Sequence, residues 1–311
     1  MNLLLQTAGS DGARWLAALS QALPQARVRR WVDAADETIP VGLDYALVWK
    51  PPRRLLAGLA SARAIFNLGA GVDALEPDAL PPGVPVVRLE DAGMGEQMSE
   101  YVVHAVLRVY RGFDAYAEAQ RGARWQPLPR SDKASFGVGL LGFGVLGRAV
   151  AAALAPFGFP LCAWSRTPKA FAGVTSHAAA AGLGPFLAGC RVVVCLLPLT
   201  PETRGLLDRR TLSMLPAGAH LVNVARGALL VDDDLIALLD DGRLGSATLD
   251  VFSDEPLPAK HRFWHHPRIT VTPHISAVTL VEASVAQIAA KIARLEAGLP
   301  ITGIVDRERC Y

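Results

Sequence analysis

The chain has 311 residues, 51% of them hydrophobic, and a formal net charge of +2. Length and composition fit two domains of ordinary size with a sizeable core, and scattered basic residues on a nearly neutral chain give no footprint for nucleic acid. No apolar run reaches the roughly 20 residues of a membrane span, and the four cysteines lack metal-ligand spacing, so no metal site is expected and a reducing, cytoplasmic setting fits.

The opening "MNLLLQTAG" carries a short apolar run and no basic leader, and reads as a first β-strand rather than a signal peptide. Further strands are predicted over 27–32, 45–49, 63–67 and 85–88, with a helix from about Ala13 to Leu23 and a short one near Arg53–Ala60. The basic cluster Arg27 to Arg30, beside Val28 and Trp31, reads as the exposed side of an edge strand. Joints such as "EPDALPPGVP" interrupt this region. One long helix is predicted from Gly95 to about Arg121, followed by a polar, proline-bearing loop, "RWQPLPRSDKAS".

Next comes "FGVGLLGFGVLGRAVAAALAPFG", a strand, a tight glycine turn and a helix. Strands are predicted at 160–164, 191–196, 219–223, 246–250 and 269–271, separated by short helices, which is the rhythm of βαβ units and a parallel sheet. A last helix over Ser276–Gly298 stops at Gly298 and Pro300, and "ITGIVDRERCY" is irregular. Cys162, Cys190 and Cys195 read as buried thiols in apolar stretches, and Cys310 as an exposed one near the chain end. The pattern implies an α/β fold in which the βαβ block, residues 101–274, is a cofactor domain inserted into a discontinuous substrate domain made of 1–100 and 275–311. In such folds ligands gather at the carboxyl ends of the strands, here in the expected cleft between the domains.

Gly142, Gly144 and Gly147 form a G-x-G-x-x-G turn between strand and helix. The first glycine permits the tight turn, the second lets backbone approach a pyrophosphate, and the third lets helix pack on sheet. Amides at the helix start attract phosphate. About 20 residues on, a NAD binder carries an acid for the adenosine ribose; here stand Ser165, Arg166 and Thr167. A guanidinium flanked by hydroxyls matches a 2′-phosphate, so NADP(H) is the expected cofactor. The alternative is an exposed turn whose arginine is only solvated, and Trp164 or Arg166 is also placed to stack on adenine.

Three later loops, each after a strand, carry Arg226, Glu255 and His274. Singly, each has a plain reading as a turn, loop or capping residue. Together they supply what hydride transfer to a keto acid needs: a cation for the carboxylate, a proton donor near neutrality, and a carboxylate beside that donor.

These segments resemble the D-isomer-specific 2-hydroxyacid dehydrogenase family over nearly the whole chain, through "LGAGVDAL", the glycine turn, "LLPLTPETRGLLD", "NVARGALLVDDDLIALLDDGRLGSATLDVFSDEPLP" and "TPHISA". Within it the marks "LEDAGMGEQMSEY", "CAWSRT" and "VDRERCY" are similar to the glyoxylate/hydroxypyruvate reductase A branch. The resemblance implies two Rossmann-like or flavodoxin-like parallel-sheet domains, a homodimer paired through the cofactor domain, and a small 2-keto or 2-hydroxy acid substrate. It makes His274 the proton donor, Glu255 its partner and Arg226 the substrate-orienting cation. It gives substrate roles to Trp49, Lys50, Leu68, Gly69, Ala70 and Gly71, with the lysine either adding charge or pointing to solvent. It gives cofactor roles to Val145, Leu146, Leu197, Pro198, Thr203, Val224, Ala225, Asp250 and Met98; Met98, like Met94, is equally a core methionine by its place on a helix. Two other functions share the fold: a dehydrogenase of a larger D-2-hydroxy acid, and a non-catalytic NAD(P)-sensing protein.

Overall fold

The structure, a computed structural model, describes residues 1–7, 11–33 and 38–309. Cys310, expected to be exposed, lies outside the described residues. In chain order the elements are β1 Asn2–Gln6, α1 Gly12–Ala22, β2 Arg27–Arg30, β3 Tyr45–Val48, α2 Arg53–Ala57, β4 Ala64–Asn67, β5 Val86–Arg88, α3 Met94–Tyr110, α4 Phe113–Arg121, β6 Val138–Leu141 and α5 Val145–Leu154. They continue with β7 Leu161–Ser165, β8 Val174–Ala178, α6 Ala179–Ala188, β9 Val192–Cys195, α7 Arg209–Leu212, β10 Ala219–Asn223, α8 Asp232–Asp240, β11 Leu244–Leu249, β12 Ile269–Val271 and α9 Val281–Glu296.

The chain forms two compact units, Met1–Met94 with Thr279–Tyr311, and Gly95–Val278. The first is built on a five-stranded parallel sheet, β2-β1-β3-β4-β5. Its central strands, "YALV" and "AIFN", are buried at every position, as a parallel sheet covered on both faces requires. β2 is an edge strand and shows Arg27, Arg29 and Arg30 to solvent, as its composition predicts. α1 and α9 pack together, burying Trp15 and Leu19 on one helix and Val285, Ile288 and Ile292 on the other.

The second unit holds a seven-stranded parallel sheet, β12-β11-β10-β9-β6-β7-β8. Alternate residues of its strands feed two cores. Leu141, Val193, Cys195, Leu221 and Leu249 enter one, and Val138, Leu140, Val192, Val194 and Val222 the other. At roughly 1.5–3 kcal/mol for each fully buried aliphatic side chain, these layers dominate the stability of the unit.

Three features depart from expectation. The helix over 95–121 is two helices, because Gly112 at φ 67° is left-handed and ends the first. The last helix begins at Val281 rather than Ser276. β8, "VTSHA", was not foreseen: it is an edge strand with no buried residue and little apolar alternation. Of the cysteines, Cys190 and Cys195 are buried as expected, whereas Cys162 is half-buried.

Candidate active site

β6 runs straight into the glycine turn. Gly142 adopts φ 109°, and a Cβ there would lie 2.7 Å from the Leu196 carbonyl carbon and oxygen, so a side chain is excluded by both conformation and space. Its amide donates to the Trp164 carbonyl at 2.9 Å, which joins the turn to β7. A Cβ on Gly147, inside α5, would collide with the Gly142 carbonyl oxygen, so this glycine sets how closely helix and turn approach. Gly144 differs: it is exposed, caps α5, and a Cβ there would meet no heavy atom within 4 Å. Open backbone at the start of a ten-residue helix without an acidic first turn is what a pyrophosphate needs, and a dinucleotide fits this turn. Val145 and Leu146 stand beside it, exposed and half-buried.

β7 ends with half-buried Trp164, whose indole N–H donates to the Ala179 carbonyl at 2.9 Å. Ser165 is buried and its hydroxyl donates to the Thr167 carbonyl at 2.8 Å, folding the chain so that Arg166 and Thr167 are both exposed. After β9, Leu197 is buried, and Thr203 clamps its own loop: its hydroxyl donates to the Pro198 carbonyl at 2.7 Å and accepts from the Thr200 amide at 2.8 Å.

After β10, β11 and β12 come the loops that hold Arg226, Glu255 and His274. Val224 and Ala225 are buried. The Asn223 side chain donates to the Arg226 carbonyl at 3.0 Å and accepts from the Ala225 amide at 3.2 Å, which fixes the backbone around the arginine. The guanidinium also donates to the Ala225 carbonyl at 2.7 Å. Gly227 is pressed against the backbone of Phe252 and Ser253, where any Cβ would collide, so the Arg226 loop sits directly on the Glu255 loop.

Glu255 accepts the Phe252 amide on Oε1 at 3.0 Å and pairs through Oε2 with Nδ1 of His274 at 2.8 Å. With the proton on Nδ1, the ring is oriented by the carboxylate, and Nε2 has no hydrogen-bond partner among the described residues. His274 itself adopts φ 55°, an uncommon backbone state for a side-chain-bearing residue.

Asp250 supports that state. It is wholly buried, and its carboxylate accepts the Thr272 hydroxyl at 2.6 Å, the Ile275 amide at 2.9 Å and the Ser276 amide at 2.8 Å. Its carbonyl accepts the His274 amide at 2.8 Å. Tyr101 on α3 donates to the Thr272 hydroxyl at 2.6 Å, and burial pushes the phenol pKa up, keeping it a donor. Met98, also on α3, lies in the second core with Val102 and Val106.

In the first unit, Trp49 and Lys50 follow β3. Trp49 lies against Gly69, where a Cβ would collide with the indole, and the Lys50 ammonium is 5.8 Å from the indole centroid, with Lys50 at φ 47°. Leu68 is buried. Asn67 donates to the carbonyls of Gly69 and Gly71, both at 2.9 Å, so the "LGAG" loop turns its carbonyls inward. The amides of Ala70 and Gly71 have no acceptor among the described residues. Asn67, Asn223, Thr272 and Tyr101 were not foreseen as site residues. For Asn67 and Asn223 the available signal was a polar side chain ending an otherwise buried strand, since such a group must find partners.

Residues 103–276 match the family model described as D-isomer specific 2-hydroxyacid dehydrogenase, NAD binding domain. A curated relative from Serratia proteamaculans, glyoxylate/hydroxypyruvate reductase A, is 48% identical over 98% of this chain and 98% of its own. Among solved structures, a D-isomer specific 2-hydroxyacid dehydrogenase from Xanthobacter autotrophicus in complex with NADPH and MES is 42% identical, with a TM-score of 0.94, over 100% of this chain and 99% of that one. An NADPH-dependent glyoxylate/hydroxypyruvate reductase from Sinorhizobium meliloti, in complex with NADP and sulfate, is 35% identical with a TM-score of 0.88, over 100% of this chain and 99% of that one.

Proposed function

Because the chain belongs to the D-isomer specific 2-hydroxyacid dehydrogenase family, we propose that it is an NADPH-dependent reductase of small 2-keto acids, converting glyoxylate to glycolate and hydroxypyruvate to D-glycerate. The observation that carries this reading is the His274–Glu255 pair, a histidine held at one ring nitrogen with the other left for a substrate. Support for the cofactor comes from the open Gly144 backbone and from Arg166 standing where a NAD binder has an acid.

The glycine turn with Val145 and Leu146 would hold the pyrophosphate. Ser165, Arg166 and Thr167 would receive the 2′-phosphate beside Trp164, and Leu197, Pro198, Thr203, Val224 and Ala225 would border the rest of the dinucleotide. When bound, the cofactor supplies the hydride that reaches the keto carbon. His274 delivers the proton from Nε2 to the carbonyl oxygen, and Glu255, on Nδ1, steadies the imidazolium before that transfer. Arg226 holds the substrate carboxylate and turns the carbonyl toward His274. Asp250 acts through His274 by fixing its loop. In the first unit we assign Trp49, Lys50 and the Leu68–Gly71 loop to the substrate, the amides of Ala70 and Gly71 donating to its carboxylate.

The proposal includes a cytoplasmic homodimer formed through the unit of residues 95–278. The pairing is supported by the apolar side chains of Phe113, Tyr116, Trp125 and Leu128, all exposed on or after α4, with Trp125 98% exposed. No helix among the described residues is long and apolar enough to cross a membrane.

NADPH oxidation against glyoxylate, hydroxypyruvate and phenylpyruvate tests the reading. Turnover is expected on the two small acids, with His274→Ala lowering kcat by about 10²–10⁴-fold at unchanged Tm. Preference for phenylpyruvate would favour a larger-substrate dehydrogenase. No oxidation with any keto acid, or NADH used as well as NADPH, would overturn it.

A further inference from the structure

The cofactor reading gives Arg166 a 2′-phosphate to hold but leaves open what holds the loop that carries it. Residues 166–170 are all exposed. The near end of the loop is fixed by the Ser165 hydroxyl on the Thr167 carbonyl and by the Lys169 amide, which donates to the Ser176 hydroxyl at 3.1 Å. Farther along, Phe171 turns inward and packs on the core beneath the glycine turn. Its ring meets Phe143 edge to face, with centroids 5.6 Å apart. The Arg148 guanidinium lies over both rings, 5.4 Å from the Phe143 centroid and 5.8 Å from that of Phe171.

Phe143 stands between the first two glycines of the turn and is 2% exposed; Arg148 follows the third glycine, and its amide donates to the Gly144 carbonyl at 3.1 Å. One guanidinium therefore joins the glycine turn, the first turn of α5 and the loop beyond β7. A cation over an aromatic face is attracted by the ring quadrupole, and here one cation serves two rings on two different segments. The glycine turn has its own restraint, the contact of Gly142 with Leu196, and does not need this stack for its shape. The loop does.

We propose that Arg148, with Phe143 and Phe171, positions the 166–171 loop for a dinucleotide carrying a 2′-phosphate, and so sets cofactor selectivity by acting through Arg166. The proposal rests on the NADP reading above. It separates two ligands. A dinucleotide without the 2′-phosphate needs the glycine turn but not Arg166, so loosening the loop penalises only the phosphorylated one. A role confined to packing would weaken both equally.

The test is equilibrium binding of NADPH and of NADH, without substrate, to the wild-type protein and to Arg148→Lys, Arg148→Met and Phe171→Ala, with a thermal melt of each. Arg148→Met and Phe171→Ala are expected to raise the Kd for NADPH about fivefold while moving that for NADH less than about twofold; Arg148→Lys, which keeps a cation over the rings, stays within about twofold for both. Arg148→Met keeps most of the apolar stem, so it reports even if Phe171→Ala melts early. Equal factors for the two dinucleotides, or no change in either, overturn the proposal while leaving the cofactor reading intact. A wild-type protein that binds NADH as tightly as NADPH overturns the cofactor reading and this proposal with it.

Discussion

The two ends of the candidate site in the second unit are held by opposite means. Around His274, position is set by buried polar groups: Asp250 has no exposed surface and accepts from Thr272, Ile275 and Ser276, while Asn223 braces the Arg226 backbone. Around Arg166, the frame is glycine geometry and a buried serine, and the groups offered to a ligand are exposed side chains. The difference fits the work proposed for each end. Proton transfer needs a ring fixed within a narrow range of angle and distance, which satisfied buried hydrogen bonds provide. Gripping a phosphate needs charge and reach, and tolerates movement until the ligand arrives. Damage to the buried supports of the first end is therefore expected to appear in stability and turnover together, and damage at the second in affinity alone.

The largest effect is expected from Asp250→Ala. It leaves the Thr272 hydroxyl and two backbone amides without their acceptor inside the protein, at about 1–3 kcal/mol for each donor that stays unsatisfied, with partial relief from water. A net loss of about 3–5 kcal/mol in urea unfolding is expected, with kcat falling even in molecules that remain folded, because the left-handed backbone at His274 loses the contacts that impose it. If Asp250→Ala lowers kcat without any shift in the urea midpoint, the carboxylate is not the structural support described here.

How much of this was legible follows the same division. Apart from β8, the strands of both sheets, the glycine turn and the loops carrying Arg226, Glu255 and His274 could be read from apolar runs and the residues that end them, because burial on two faces and chain reversal impose composition directly. The supports of the chemical end could not. Nothing in "LDVF" says that Asp250 accepts from residues more than 20 positions on, and nothing in "SEYVV" says that Tyr101 reaches Thr272, since such partners are set by the tertiary fold. β8 escaped for a related reason: an edge strand with one unpaired side and few buried residues needs little of the alternation by which strands are recognised. The break at Gly112 was hidden because a glycine within a helical pattern reads the same whether the backbone there is right-handed or left-handed.

A smaller and more selective change is expected at the nucleotide end. Arg166→Ala removes charge-assisted hydrogen bonds worth about 1.5–3 kcal/mol, so the Kd for NADPH should rise by about ten- to a hundredfold. Because the side chain is exposed and its loop is shaped by Ser165 and Phe171, urea stability should stay within about 0.5 kcal/mol of wild type. Isothermal titration with NADPH and NADH, beside an unfolding curve, checks both halves. A variant that loses stability along with affinity would place Arg166 with the structural supports instead.

The smallest expected effect concerns how acid reaches the buried supports. His220 sits on β10, below Asn223, and its two ring nitrogens bond the hydroxyls of Ser246 and Thr248 on β11, at 2.6 and 3.0 Å. Burial lowers its pKa to about 3, with the Arg108 charge adding to the shift. In the unfolded chain the same imidazole titrates near 6.5, so between those values the unfolded state binds the extra proton and the folded state does not. Stability from this residue is thus complete above about pH 6.5 and is lost progressively as the pH falls toward 3. From pH 7 to pH 5.5 the loss should be about 1 kcal/mol. His220→Gln, which keeps hydrogen-bonding capacity but cannot titrate, should show a flatter slope of urea midpoint against pH over that window, whatever its absolute stability. Parallel slopes for wild type and variant would mean that His220 titrates alike in both states.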